Sequence, residues 1–159
     1  MLDTLPNPKD VRDFLGDLLG RDVTVSVVDA WAPLPVDAPC AAEYLDDTGQ
    51  LRAVVVADLP LAVHLGAAIG LVPPGGAKDM VAERSPGAMV LANLAEVLNI
   101  VAALFNVGTN PHVRLTGVHD PGAPFPSHVA EAARTLAGRL DLEVDVAGYG
   151  GGRLALIGL

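Results

Sequence analysis

The chain has 159 residues, 51% of them hydrophobic and 18% charged, which fits one globular domain with a core of its own and excludes a disordered chain. Only six residues are aromatic (one Trp, two Tyr, three Phe), so the core must be aliphatic. A formal net charge of −9, with ten Lys and Arg scattered along the chain, excludes a nucleic-acid binder, which needs clustered cations, and disfavours an anionic membrane surface.

In chain order, the first helix is signalled by Asn7 as N-cap, Pro8 at the first helical position and Asp10 in the first turn. Val11, Phe14, Leu15, Leu18 and Leu19 then form one apolar face, and Gly20 ends the helix. "DVTVSVV" (22–28) alternates and is β-branched, which predicts a strand. A Pro-rich connection (32–39) leads to "CAAEYL" and "LRAVVVADL", two strands joined through "DDTGQ" with Gly49 at the turn. A short helix is expected from Pro60 to about Ile69, and residues 71–85, punctuated by Pro and Gly, are expected to be a loop. Ser85 is placed to cap a long helix running to about Asn106, with Pro86 at its first position. A strand over 111–118, a loop, a helix from Ser127 to about Leu140 and a closing hairpin through "YGGG" complete the chain. The order α-β-β-β-α, then α-β-α-β-β, predicts an α+β domain spanning 1–159, with helices packed on a largely antiparallel sheet.

Cys40 is the only cysteine, so an intrachain disulfide and a Cys-based zinc site are both excluded. Its apolar neighbours suit a small core residue. The N-terminus lacks the basic region and apolar run of a secretory signal, and a cytoplasmic protein is expected. Residues 89–107 are apolar enough to suggest a membrane span, but Asn93, Glu96, Asn99 and Asn106 interrupt them. A carboxylate near a bilayer centre costs about 2.5–3.5 kcal/mol even on lenient scales, so a soluble helix is expected.

The two parts of the chain repeat each other. Shifted by 86 residues, Val11 falls on Val97, Phe14 on Ile100, Leu15 on Val101, Leu18 on Leu104 and Leu19 on Phe105. A strand follows each helix ("VTVSVVD" and "VRLTGVHD"), and each part closes with a hairpin ("GQLRAVVVADL" and "GGGRLALIGL"). Two pseudo-symmetric halves, about 8–71 and 86–159, are expected. Under this offset Asp10 matches Glu96, and Asp13 matches Asn99.

On a helical wheel Asn93, Glu96, Asn99 and Asn106 share an arc of about 140°, with Ala92 and Ala103 between them. A solvated face is one reading, but such faces are rich in Lys, Glu, Arg and Gln, which are better helix formers than Asn. The other reading is a docking face. Ala92 and Ala103 admit close approach, and Asn93 offers a further polar contact. Glu96 can accept charge-assisted hydrogen bonds from a cation. The neutral amide of Asn99 can hold a water and aim it at an electrophile, and phosphoryl hydrolysis depends largely on such positioning.

The run Glu96-Val97-Leu98-Asn99 on a long helix resembles the E-x-x-N signature of the CheC/CheX phosphatases, which dephosphorylate response regulators of the CheY type. "LLGRDVTVSV" (18–27) and the duplicated helix–strand–hairpin plan are also similar to that family, and the resemblance spans about residues 8–159. It implies a CheC/CheX-like fold and a phosphorylated receiver domain as partner. It implies that Glu96 contacts a lysine of the regulator, that Asn99 orients the water attacking the phospho-aspartate, and that Mg²⁺ belongs to the partner, with no cofactor on this chain. Members of the family often have Asp or Ser four residues before the Glu, where this chain has Ala92, and a Pro beyond the Asn, where Pro121 stands near. In the first half Asp10 and Asp13 stand in place of the Glu and Asn. Asp13 is ionised at neutral pH, has no donor and would repel a phosphoryl group, so one site is expected, in the second half, beside a degenerate one. The alternative is a non-catalytic adaptor that binds a receiver domain or self-associates through the same helix. A homodimer made by joining sheet edges is compatible with the plan and undecided by it.

Other candidates weigh less. His119-Asp120 has no nucleophile or further ligand placed by spacing, and His64 fits a partly buried core position. "YGGGR" lies between strands and suits a hairpin turn better than a phosphate loop, and "PPGG" shares that weakness.

Overall fold

The first helix, α1 (Pro8–Leu19), forms as its sequence dictates. Asn7 and Asp10 make a reciprocal capping box, Pro8 opens the first turn, and Gly20 closes the helix in the left-handed conformation. In the computed structural model, which describes residues 2–159, the strands β1 (Val23–Val27), β2 (Cys40–Asp46), β3 (Leu51–Ala57), β4 (Val113–His119), β5 (Arg139–Val146) and β6 (Gly150–Gly158) form one antiparallel sheet. Its order is β1-β5-β6-β3-β2-β4. Exchanging β1 with β4, β2 with β5 and β3 with β6 reads that order backwards. The two halves are therefore pseudo-symmetric about the central pair, where Val55 faces Leu156.

The helices α2 (Leu59–Ile69) and α4 (Ala88–Val101) join α1 on one face of the sheet. Val11, Leu15, Leu61, Leu65, Leu94 and Val97 pack there against Tyr44, Val55, Val144 and Leu156. The other face carries a smaller core, where α5 (Ser127–Ala133) and Trp31 cover Ala41, Val54, Val56 and Ile157. Two ion-paired side chains lock the start of β5 beneath this layer. Arg139 Nε stands 2.7 Å from Asp141 Oδ2, and its other nitrogens reach the carbonyls of Ala133, Thr135 and Trp31.

Three expectations need correction. Residues 71–85 are not a loop: α3 (Pro74–Glu83) forms there and packs Ala77 against α2. Pro74 sits at the first helical position, and Gly75 and Gly76 occupy the next two, where the N–H groups need no intrahelical partner, so the breaker residues cluster where a helix tolerates them. The long helix starts later than Ser85. Gly87 is its N-cap, and it tightens into a 3-10 turn at Ala102–Leu104. The helix from Ser127 ends at Ala133, well short of Leu140, because β5 begins at Arg139 and pairs with β6 and β1; Ser127 is its first residue and makes no cap bond.

No single helix among the described residues is long and apolar enough to cross a membrane. The pair α3 and α4 would suffice in combined length and apolarity, but it bends by 99° at the break.

Candidate functional site

α4 is held by its inner face. Val90, Leu94, Val97, Leu98 and Val101 are buried. Gly66 of α2 lets the two helices touch: a Cβ there would stand 2.4 Å from the Val90 carbonyl oxygen. A second anchor comes from β2. The Tyr44 hydroxyl donates to the Leu98 carbonyl at 2.7 Å, directly before Asn99 in the chain.

The outer face then presents Met89, Ala92, Glu96, Asn99 and Ala103, all exposed. They recur at alternating steps of three and four residues and stay within about 80° of one another around the axis. Glu96 and Asn99 are neighbours one turn apart, about 4.5 Å along the axis. Neither side chain makes a hydrogen bond or ion pair with the described residues, so a carboxylate and an amide stand side by side and open to a second molecule.

The wider strip read from the helical wheel divides by role. Asn93 is half-buried and donates to the Gly66 carbonyl at 3.2 Å, which ties the end of α2 to α4. Asn106 exchanges hydrogen bonds with the backbone of Val113, its Nδ2 donating to the carbonyl at 2.9 Å and its Oδ1 accepting from the N–H at 2.8 Å, and so starts β4. Met89 belongs to the exposed stripe although it was not among the residues expected there. Its sequence signal is the seven-residue step to Glu96, two turns along the same line.

The first half places its polar pair differently. Asp10 is occupied by the capping box, its carboxylate accepting from the Asn7 N–H at 3.3 Å. Asp13 is clasped by Lys9 Nζ at 2.8 Å and Arg12 Nε at 3.0 Å. Hydrogen bonds from Lys9 and then Arg12 hold its carboxyl below the ordinary range. Neither aspartate is open as Glu96 and Asn99 are.

Three of the four histidines make bonds within the chain. His64 is buried with Nδ1 3.1 Å from the Gly151 carbonyl, and burial pushes its pKa down, so the ring is neutral. His119 and His128 flank Glu43, with Nε2 atoms 2.6 and 2.5 Å from its two carboxylate oxygens. Partial burial raises the Glu43 carboxyl, but the bonds from His119 and His128 outweigh it and leave it below its usual value.

An open antiparallel sheet of two pseudo-symmetric halves, with helices packed on it, is the plan of the CheC/CheX/FliM fold. Solved structures bear this out. The chain is similar to the FliM middle domain of Vibrio alginolyticus, with a TM-score of 0.58, 12% identity, and 95% of this chain and 88% of that one covered. It is similar to FliY of Thermotoga maritima, with a TM-score of 0.55, 15% identity and coverage of 92% and 81%. It also matches a chain of the CheX–CheY–BeF₃–Mg²⁺ complex of Borrelia burgdorferi, with a TM-score of 0.51, 12% identity and coverage of 91% and 90%. No protein-family model matches the chain, and no curated protein matches it. At these identities the likeness establishes the fold: this chain has the CheC/CheX/FliM fold.

Proposed function

We propose that this protein is a cytoplasmic phosphatase that removes the phosphoryl group from the aspartate of a CheY-type receiver domain. Asn99 orients the attacking water through its neutral amide, and Glu96 accepts a hydrogen bond from a lysine of the receiver. The water attacks phosphorus, the acyl-phosphate P–O bond breaks, and the products are inorganic phosphate and the free aspartate. Mg²⁺ is held by the receiver and neutralises charge on the phosphoryl oxygens. One observation carries the reading: Glu96 and Asn99 are the polar pair left open on α4, while the equivalent Asp10 and Asp13 are closed by Asn7, Lys9 and Arg12. The fold supports it, since CheX of Borrelia burgdorferi is found in complex with CheY, BeF₃ and Mg²⁺.

The test is phosphate release from a phosphorylated receiver encoded by the same genome. The native chain is expected to accelerate it, and Asn99→Ala to reduce the acceleration about 100-fold, the scale on which small misplacements of reacting groups act. Acceleration that persists unchanged in Asn99→Ala would falsify the assigned mechanism. A second reading, a non-catalytic adaptor, is favoured by the apolar character of the other stripe residues, Met89, Ala92 and Ala103. It gives receiver binding without acceleration.

A further inference from the structure

Met89 is 69% exposed and Leu71 75% exposed. Single exposed apolar side chains are ordinary, and neither fact alone asks for an explanation. Their positions and the backbone of Leu71 do.

Met89 lies on the line of the Glu96–Asn99 pair, two turns before Glu96 and about 10 Å along the axis. Leu71 follows the end of α2. The residue before it, Gly70, stands so close to the Asn93 amide that a Cβ there would be 2.2 Å from Nδ2. Asn93 borders the stripe on the α2 side, so the chain reaches the stripe's edge at Gly70, one residue before Leu71. Here the backbone is left-handed, with φ of 55°. Glycine is the usual residue in this conformation just past a helix end, because a Cβ is sterically disfavoured there. Leucine meets that strain, and its exposed side chain returns little packing within the chain. An apolar side chain in a strained conformation, left in water one residue from the Asn93 contact, has its use outside the isolated domain.

We propose that Leu71 and Met89 form the apolar footing on which the receiver domain docks, with its phosphorylated aspartate over Asn99. This rests on the reading of Glu96 and Asn99 as the receiver site. A stable protein interface covers about 800 Å² on each partner, far more than two polar side chains offer, and its energy concentrates in a few apolar anchors. The stripe supplies the anchor at one end and the chemistry at the other. Ala92 lies between them and lets the partner's backbone come close. The receiver must bring an exposed apolar side chain to within about 10–15 Å of its phosphorylated aspartate, the distance that five to ten residues of helix span.

Two variants test this without disturbing the fold. Leu71→Gly relieves the left-handed backbone and is expected to leave the melting temperature equal or higher. Met89→Gln exchanges one good helix former for another on the exposed face. Binding is measured against a receiver of the same genome activated with beryllium fluoride and Mg²⁺, and turnover against the phosphorylated receiver. Each variant is expected to weaken binding and raise KM about 10-fold, the scale of one lost apolar anchor, with kcat within twofold of native. Asn99→Ala is expected to do the reverse. Native-like binding by both Leu71→Gly and Met89→Gln overturns the footing, whereas loss of turnover in Asn99→Ala still upholds the phosphatase. Binding that both variants weaken, without any acceleration by the native chain, upholds the footing and removes the phosphatase. A native chain that neither binds nor accelerates removes both.

Discussion

The hydroxyl of Tyr44 is a small group on which the geometry of the turn that carries Asn99 depends. At the end of α4 the Ala102 N–H turns to the Asn99 carbonyl instead of reaching back four residues to Leu98. The Leu98 carbonyl, in a residue only 2% exposed, accepts from the Tyr44 hydroxyl at 2.7 Å. Tyr44→Phe keeps the ring, which tilts at 51° against Phe105 with centroids 5.4 Å apart, and removes only the donor. The carbonyl then stays in the core without that partner, which costs about 1–3 kcal/mol. For a domain of this size about 2–4 °C accompanies each kcal/mol, so the melting temperature should fall by about 2–12 °C. Urea denaturation at 25 °C should show the same loss through a lower midpoint at unchanged slope. Burial pushes the Tyr44 phenol far above its ordinary pKa, so it stays protonated and the loss should be independent of pH across the neutral range. Because Leu98 precedes Asn99, turnover should suffer more than receiver affinity. A destabilisation below about 0.5 kcal/mol, less than a net buried hydrogen bond contributes, would refute the reasoning by showing that Leu98 has another donor at hand.

Arg139→Leu should be among the most damaging single changes. It leaves the Asp141 carboxylate, whose side chain is 4% exposed, buried without its cation, at a cost of about 3–5 kcal/mol; the fluorescence of Trp31, the only tryptophan and a direct neighbour, reports the transition. Asp46 shapes the acid limb of stability. Hydrogen bonds from Thr48 and then Arg52 hold its folded carboxyl far below the unfolded value of about 4, so its contribution is complete above that pH and drains away as pH falls further. Asp46→Asn should flatten the stability profile below pH of about 4, and an unchanged acid limb would count against this assignment. Asn99→Asp recreates the first half's acid in the second. It should return receiver dephosphorylation to its uncatalysed rate, since a carboxylate has no donor and repels the phosphoryl group.

What was legible in the sequence followed local rules. Asn7, Pro8 and Gly20 bound α1 as written, the alternation of β-branched residues marked β1, and the DDTGQ turn marked the β2–β3 hairpin. Period and charge also showed that α4 carries a polar strip. They could not show which of its members the fold would use for itself. Asn93 turns to α2 because Gly66 and Gly70 bring that helix within reach, and no spacing along α4 announces it. Asn106 becomes a strand latch because the chain doubles back to Val113. α3 was hidden by prolines and glycines that a helix accepts at its start, and the Arg139–Asp141 pair by the rarity of buried charge. Each of these depends on packing between elements distant in the chain, which local pattern does not encode.

The asymmetry of the two halves has a simple structural origin. Under the 86-residue offset, Asn7 corresponds to Asn93, Lys9 to Ala95, Asp10 to Glu96, Arg12 to Leu98 and Asp13 to Asn99. α1 begins at Pro8, whose counterpart is Leu94, but α4 begins six residues earlier, at Ala88. The earlier start of α4 changes what each equivalent position does. The acid at position 10 lies in a first turn, where it caps; its counterpart at 96 lies mid-helix, where the backbone N–H groups are already paired and no cap is needed. Asn93 loses its end position too and caps its neighbour instead, by donating to Gly66. The two cations that clasp Asp13 are replaced by Ala95 and by Leu98, and Leu98 turns into the core. Nothing remains in the second half to close the pair. A longer helix and two lost cations are enough to turn a stabilising surface cluster into an exposed carboxylate and amide, and the amide at 99 is the one change that also makes the position chemically suited to hold a water.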